Sequence, residues 1–321
     1  MDITVVIPTY NGAQRISGVL ERLIKQQVPA NLQWEVVVVN NNSNDALGKV
    51  VQRWQQAWPK TIPLRYVLEP KQGLAFARQC GVEQAAGELV GFLDDDNLPA
   101  VNWVAAACQF AQGQPCIGAF GSQVVGQFET PPTPELQPIL FYLAINQRGD
   151  SPLKYSPAEK GVPPGAGLVV RRQAWLNHVP KSLLLVGRVN QSMLSGEDAE
   201  ALLHLHRAGW EIWYNPAMKI DHCIPSDRLQ WSYLRRNLHG IGLSRYYLRM
   251  LALKHTWQRP IMTLLYGMSD SIKLLRHLLK HKGQVSTEGL ANCEWMLLLG
   301  TLFSPLYLLY VWLKKPRIAV R

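Results

Sequence analysis

Three consecutive aspartates, Asp94, Asp95 and Asp96, follow the apolar run of GFLDDDNLPA. Adjacent carboxylates repel one another, and the end of a buried strand is a costly place to hold them. Hard oxygen ligands suit Mg²⁺ or Mn²⁺. The triplet therefore reads as a cation site, or as a turn whose aspartates cap the next helix. A second acidic pair, Glu197 and Asp198, stands in SGEDAEALLHLHRAGW. There Ser195 offers an N-cap, and the helix dipole favours acidic side chains. Arg78 in GLAFARQCG is a helical cation that can neutralise phosphate or simply face solvent. His222 follows Asp221, and a lone histidine is more often structural than a ligand.

The elements that must position these groups alternate in type. ITVVIP is a β-branched run stopped by Pro8, and residues 13–27 place Ile16, Val19, Leu20, Leu23 and Ile24 at helical spacing. WEVVVV is a second buried strand, DALGKVVQRWQQAW a helix, LRYVL a strand, GLAFARQCGVEQAAG a helix and ELVGFL a fourth strand. Strands alternating with helices imply a parallel sheet covered on both faces. Ligands of such sheets bind outside the carboxyl ends of the strands, so aspartates after ELVGFL belong in a site. Further on, AFGSQVVG reads as a strand, TPPTPELQP as a surface loop, and GAGLVVRRQAW as strand then helix.

The last third changes character. IKLLRHLLKHK sets Met268, Ile272, Leu275 and Leu279 on one face and Lys273, Arg276, His277 and Lys280 on the other, a basic amphipathic helix suited to an anionic membrane. CEWMLLLGTLFSPLYLLYVWL is long enough to span a bilayer, and KKPRIAVR follows it. A single span would leave those basic residues on the outside, against the positive-inside tendency, and Pro305 interrupts the run. Asp270 and Lys273 make a second span over the preceding helix costly. Peripheral or monotopic association is therefore the expectation, with an apolar helical pair packed on the rest of the chain as the alternative. The chain has 321 residues, 47% of them hydrophobic, a net charge of +10 and five cysteines without a C-x-x-C pair. The charge points to an anionic partner, and its concentration beside apolar runs favours lipid over nucleic acid. The cysteines argue against a disulfide framework or a zinc site and for a reducing compartment. The N-terminus enters a strand pattern at once, without a signal peptide. No G-x-G-x-x-G follows the first strand, which disfavours a dinucleotide oxidoreductase.

Taken together, VVIPTYNG, VVVVNNNSND, KQGLAFARQCGVEQAAGELVGFLDDD, GAGLVVRR, GEDAEALLHLHRAGW and the DH at 221–222 resemble, in order and spacing, a family 2 glycosyltransferase of the polysaccharide-biosynthesis type. The resemblance covers roughly residues 1–225. It implies an α/β fold of the GT-A type, a Rossmann-like, mostly parallel sheet flanked by helices. A nucleotide-sugar-binding half would occupy 1–125, an acceptor half 126–225, and a helical, membrane-associating region 226–321.

The resemblance also assigns roles. Asp96 is the expected metal ligand, with Asp94 and His222 beside it, and Mn²⁺ or Mg²⁺ is the expected cofactor. Asp94 also faces the ribose or sugar, and Asp95 joins the donor site or shapes the turn. Pro8, Thr9, Tyr10, Asn11, Asn40, Asn42 and Asp45 form the nucleotide edge, with Asp45 equally readable as an N-cap. Gly73 lets the backbone turn close to the nucleotide, and Arg78 neutralises the diphosphate. Gly165, Ala166 and Gly167 let a sugar approach. Asp198 is the general base of an inverting transfer, assisted by Glu197. Asn40 stands where the family usually carries aspartate and brings donors as well as an acceptor, which leaves a GDP-sugar open beside a UDP-sugar. LQWSYLRRN lacks the Q-x-x-R-W signature of processive synthases, so one sugar per event is expected. Arg235 and Arg236 are either phosphate contacts for a lipid carrier or solvated. The implied acceptor is a glycan or polyprenyl-linked sugar at the cytoplasmic face of a membrane, with no nucleic acid. The alternative is a catalytically silent nucleotide-sugar or glycan-binding scaffold.

Overall fold

The computed structural model describes residues 1–157, 161–189 and 193–314. Within these the chain divides into two compact units, Met1–Gly187 with Glu197–Ser226, and Arg188–Gly196 with the chain from Asp227 onward.

The first unit is built on a nine-stranded mixed sheet in the order β3-β2-β1-β4-β8-β6-β9-β5, with β7 beside β9. Its strands are β1 (Ile3–Thr9), β2 (Trp34–Asn40), β3 (Leu64–Leu68), β4 (Leu89–Phe92), β5 (Asn97–Pro99), β6 (Ile117–Phe128), β7 (Leu153–Lys154), β8 (Val169–Arg171) and β9 (Glu211–Ile224). β1 to β4 run parallel to one another; β1, β2 and β4 are buried throughout, as strands covered on both faces require, and β3 is the half-buried edge. Strand periodicity divides each run between two cores. Ile3, Val5, Ile7, Val36 and Val38 meet helices α1 (Ile16–Ile24), α2 (Leu47–Ala57) and α4 (Trp103–Ala111). Val6, Val37 and Val39 meet α3 (Leu74–Gln84), α5 (Arg172–His178) and α6 (Glu197–Arg207). Each fully buried aliphatic side chain contributes about 1.5–3 kcal/mol.

One strand runs past the proline expected to end it, and another past an internal proline. β1 passes Pro8 and ends at Thr9; β4 pairs with β1 only as far as Val6, so at Pro8 the strand has one partner and the missing N–H breaks no ladder on the other side. β9 passes Pro216 by a register shift against β6 between Ser122 and Gln123. The expected loop TPPTPELQP enters a 3₁₀ helix over Pro134–Leu143.

The second unit is helical: α7 (Trp231–Ala252), α8 (Gln258–His281), a 3₁₀ turn (Lys282–Ser286) and α9 (Leu290–Lys314). α7 and α9 approach closely at glycines. A Cβ on Gly242 would lie 2.5 Å from the Leu297 carbonyl, and one on Gly300 would lie 2.6 Å from the His239 carbonyl. α9 stays helical through Pro305. Among the described residues, Leu290–Val311 is the one helix long and apolar enough to cross a membrane by length and composition. Asp270, the acid that argues against spanning by α8, is buried and held by Arg249 at 2.5 and 3.2 Å. Residues 315–321, nearly all of the basic KKPRIAVR end, lie outside the described residues.

Candidate active site

The aspartate triplet caps β4 and turns at once into β5, which pairs antiparallel with the end of β9. That pairing sets Asn97 opposite His222 and brings the late histidine to the triplet. The Asp96 Oδ2 lies 3.6 Å from His222 Nε2, and its Oδ1 accepts from the buried Asn97 amide at 3.0 Å. Asn97 Oδ1 in turn accepts the Asp94 N–H at 3.1 Å. One side chain absent from the expected set thus orients two of the three aspartates. Asp95 points elsewhere. Arg15 donates to both its oxygens, at 2.8 and 3.0 Å. Asp95 is therefore a brace for the loop after β1 rather than a free donor-site acid. Burial pushes its carboxyl up to about 6 against the pull of Arg15.

Arg78 occupies the centre. It is 2% exposed, and its guanidinium lies 3.6 Å from Asp94, 3.5 Å from Glu197 and 3.5 Å from Asp198. Its Cζ sits 5.6 Å from the Phe92 ring centroid. Arg78, expected to meet a diphosphate, has acidic neighbours that the sequence did not show. The side chain is taken up by three carboxylates and ties the end of β4 to the start of α6. Burial works against its charge, but Asp198, Asp94 and Glu197 outweigh burial and raise its pKa. Glu197 is pushed well up, by burial first and then by Asp198, against Arg78. Asp198 keeps more solvent access than Glu197, 21% against 7% of the side chain, and its Oδ2 accepts the Gly165 N–H at 2.5 Å.

Of the three small residues expected to admit a sugar, Gly165 borders these acids. A Cβ there would lie 2.2 Å from Arg78 Nη2 and 2.6 Å from Asp198 Oδ2. Ala166 is buried, and the space over Gly167 is filled by Ile220 and Ser122, with φ +67° at Gly167.

The expected nucleotide edge is assembled at the ends of β1 and β2. Pro8 and Thr9 are buried in the sheet, while Tyr10 is 45% exposed. Asn11 and Asn42 adopt positive φ, a conformation asparagine tolerates. Asn11 joins the two loops, its N–H donating to Ser43 Oγ and its Oδ1 accepting from the Asn44 N–H, both at 3.0 Å. Asn40 is engaged within the chain on both sides of its amide. Its Oδ1 accepts the Ser43 N–H at 2.8 Å and its Nδ2 donates to Tyr66 at 2.7 Å. Asp45 accepts from the Ala13 and Leu47 N–H groups. Gly73 takes φ +138°, and a Cβ there would lie 2.9 Å from the Val186 carbonyl. The neighbouring Asn41, unremarked in the sequence, accepts the Gly73 N–H at 2.7 Å and donates to the Glu69 and Lys71 carbonyls. Glu200, also unremarked, accepts the Leu184 and Leu185 N–H groups. The nearby NNN and EDAE runs show polar residues but not which of them face inward.

The donor set suits a hard divalent cation. Asp94, Asp96, Glu197 and Asp198 set four carboxylates against the guanidinium of Arg78 and the imidazole of His222. Asp94 is raised by burial first, with Arg78 opposing and Asp96 adding to it. An excess of carboxylate charge in a partly buried place is the condition that a cation relieves. Asp96, with Asp94 and His222 beside it, would hold such an ion.

A family model described as Glycosyl transferase family 2 matches residues 4–168, just over half of the chain. The glycosyltransferase AglE of Haloferax volcanii is 31% identical over 124 residues, 39% of this chain and 38% of that protein. TuaG of Bacillus subtilis, a putative teichuronic acid biosynthesis glycosyltransferase, is 28% identical over 130 residues, 40% of this chain and 50% of that protein. The chain thus spans half or less of the length of these curated relatives. The mannosyltransferase PcManGT from Pyrobaculum calidifontis, solved with GDP-Man and Mn²⁺, superposes with a TM-score of 0.60 at 18% identity, covering 98% of this chain and 88% of that one. At that identity the likeness shows the GT-A fold.

Proposed function

We propose a reaction for this chain, which belongs to glycosyl transferase family 2: the inverting transfer of one sugar per event from a nucleotide-sugar donor to a lipid-linked or polysaccharide acceptor. The observation that carries the proposal is the junction at Arg78. A single guanidinium gathers Asp94, from the end of β4, with Glu197 and Asp198, from the start of α6. Donor-side carboxylate and base are thereby held in one network.

Asp198 is the more exposed of the acidic pair and is the base that takes the proton of the acceptor hydroxyl. Arg78 at 3.5 Å and the Gly165 N–H orient its carboxylate toward the acceptor. Glu197 lies deeper and positions Arg78. A divalent ion held by Asp96, Asp94 and His222 would supply positive charge to the departing nucleotide diphosphate. The bound GDP-Man and Mn²⁺ of PcManGT support a guanine donor beside the uridine expected first.

The helical unit is proposed to dock on the cytoplasmic face of a membrane. Ile261, Leu264, Leu265, Met268, Ile272, Leu275 and Leu279 of α8 are all about half exposed or more and recur at helical spacing. Flotation with vesicles of anionic phospholipid, and none with neutral vesicles in high salt, is the expected behaviour; no flotation at all removes the membrane partner.

The reaction is tested by binding and hydrolysis of UDP-, GDP- and dTDP-sugars with Mn²⁺ or Mg²⁺. Asp96→Ala should abolish metal-dependent binding. Asp198→Asn should keep binding and lose turnover by about 10²–10⁴-fold. Binding without turnover in the wild type, with any acceptor, would move a silent scaffold to first place. Equal turnover in all three proteins would overturn the assignments.

A further inference from the structure

The last two turns of α8 carry His277 and His281, and the second turn of α9 carries Glu294. Residues four apart share one helix face, and the two imidazoles lie 4.5 Å apart between ring centroids. One ligand atom from each of the three side chains can be chosen so that all lie within 4.8 Å of one another. All three are partly buried, open enough for an ion to enter and closed enough to limit competing water.

A hydrogen bond fixes the tautomer that a neutral His277 ring adopts. Its Nε2 lies 2.8 Å from the Ala291 carbonyl oxygen. A carbonyl only accepts, so Nε2 carries the proton, and in the neutral ring Nδ1 carries the lone pair. That lone pair faces Glu294 Oε2 at 3.7 Å. The separation is too long for a hydrogen bond, and both atoms are electron donors. Two ligand atoms on a tetrahedral ion with ordinary bond lengths lie about 3.4 Å apart. A backbone carbonyl on the second nitrogen is also the partner that orients metal-binding histidines.

We propose that His277 Nδ1, His281 and Glu294 form a three-ligand site for a divalent ion of the zinc class, which ties the end of α8 to the start of α9. Two imidazoles and one carboxylate prefer Zn²⁺ over the hard ions that an all-oxygen set takes. The cysteine pattern that argues against zinc does not bear on this set, because no thiol contributes to it.

The test is Zn²⁺ binding to the full chain in excess Mg²⁺, read by competition with a chromophoric chelator, with Co²⁺ absorption as a geometry probe. The wild type should bind one Zn²⁺ equivalent, show tetrahedral Co²⁺ bands and gain Tm on zinc addition. His281→Gln and Glu294→Gln should each lose the equivalent, with affinity down on the order of 100-fold or more, and should lose the Tm gain. Asp96→Ala should keep it. No zinc equivalent in the wild type overturns the proposal. So does an equivalent kept by both variants or lost in Asp96→Ala. If His281→Gln fails to fold by circular dichroism, Glu294→Gln, a near-isosteric change at a partly exposed side chain, decides.

Discussion

Arg78 in the sheet unit and Arg249 in the helical unit are both helical arginines turned onto acids, under different loads. Arg78 is 2% exposed and meets three carboxylates at 3.5–3.6 Å, too long for tight pairing with any of them. Arg249 keeps 24% of its side chain exposed and grips the single Asp270 through two hydrogen bonds, with Lys273 also 3.9 Å away. The helical pair is neutral and closed. The sheet network is under-neutralised and open on its Asp198 side, as a place that awaits a cation and a hydroxyl must be.

The largest effect should come from removing the two arginines in turn. Arg78→Met leaves three acids without their cation in a buried place. It should cost about 3–5 kcal/mol in urea unfolding and abolish donor turnover. Arg249→Met leaves one acid, with Lys273 still near, and should cost about 2 kcal/mol while turnover persists. The reverse order of stabilities would break the comparison.

Glycines sharpen it on a smaller scale. The three atoms nearest a Cβ at Gly165 are side-chain ends of Arg78 and Asp198, whereas one at Gly242 meets the Leu297 carbonyl and the Thr301 amide nitrogen. Side chains can swing and a helix backbone cannot. Gly165→Ala should therefore fold almost normally yet lose about 100-fold in kcat, because the base is displaced by a fraction of an ångström or more. Gly242→Ala should keep its catalytic geometry and lose about 1–3 kcal/mol by overpacking. Paired kinetics and unfolding curves on both variants separate the two outcomes.

Legibility in the sequence differed in the same way. The parallel strands and their helices were readable because a continuous β-branched run and a 3.6-residue period are local properties. The acids were readable as types at a strand end. Their partners were not, because every important contact is long-range. Nothing in AQRISG says that Arg15 closes on Asp95, and nothing in NNNSND separates Asn41, which braces Gly73, from Asn42, which is exposed. Arg78 was found but its three acids were not, since a helical arginine near a diphosphate site and one facing acids have the same local sequence. In the helical unit, α8 and its two faces were plain from spacing, whereas the meeting of His277 with Glu294 required the turn between two helices.

The smallest expected effects are opposite pH trends. Burial and Asp198 raise Glu197 above the ordinary 4.5, so the folded chain takes up this proton at higher pH than the unfolded chain does. Its favourable contribution is complete below about 4.5 and is lost as pH rises through the raised value. Half-burial lowers His239 of α7 below the ordinary 6.5, so the folded chain binds this proton less readily. Its contribution is present above 6.5 and is lost as pH falls toward the lowered value. Relative to wild type, Glu197→Gln should therefore gain stability between pH 5 and 8, and His239→Gln should gain it between pH 7 and 5. Urea midpoints at four pH values read both slopes. Parallel slopes would mean that neither side chain carries the titration.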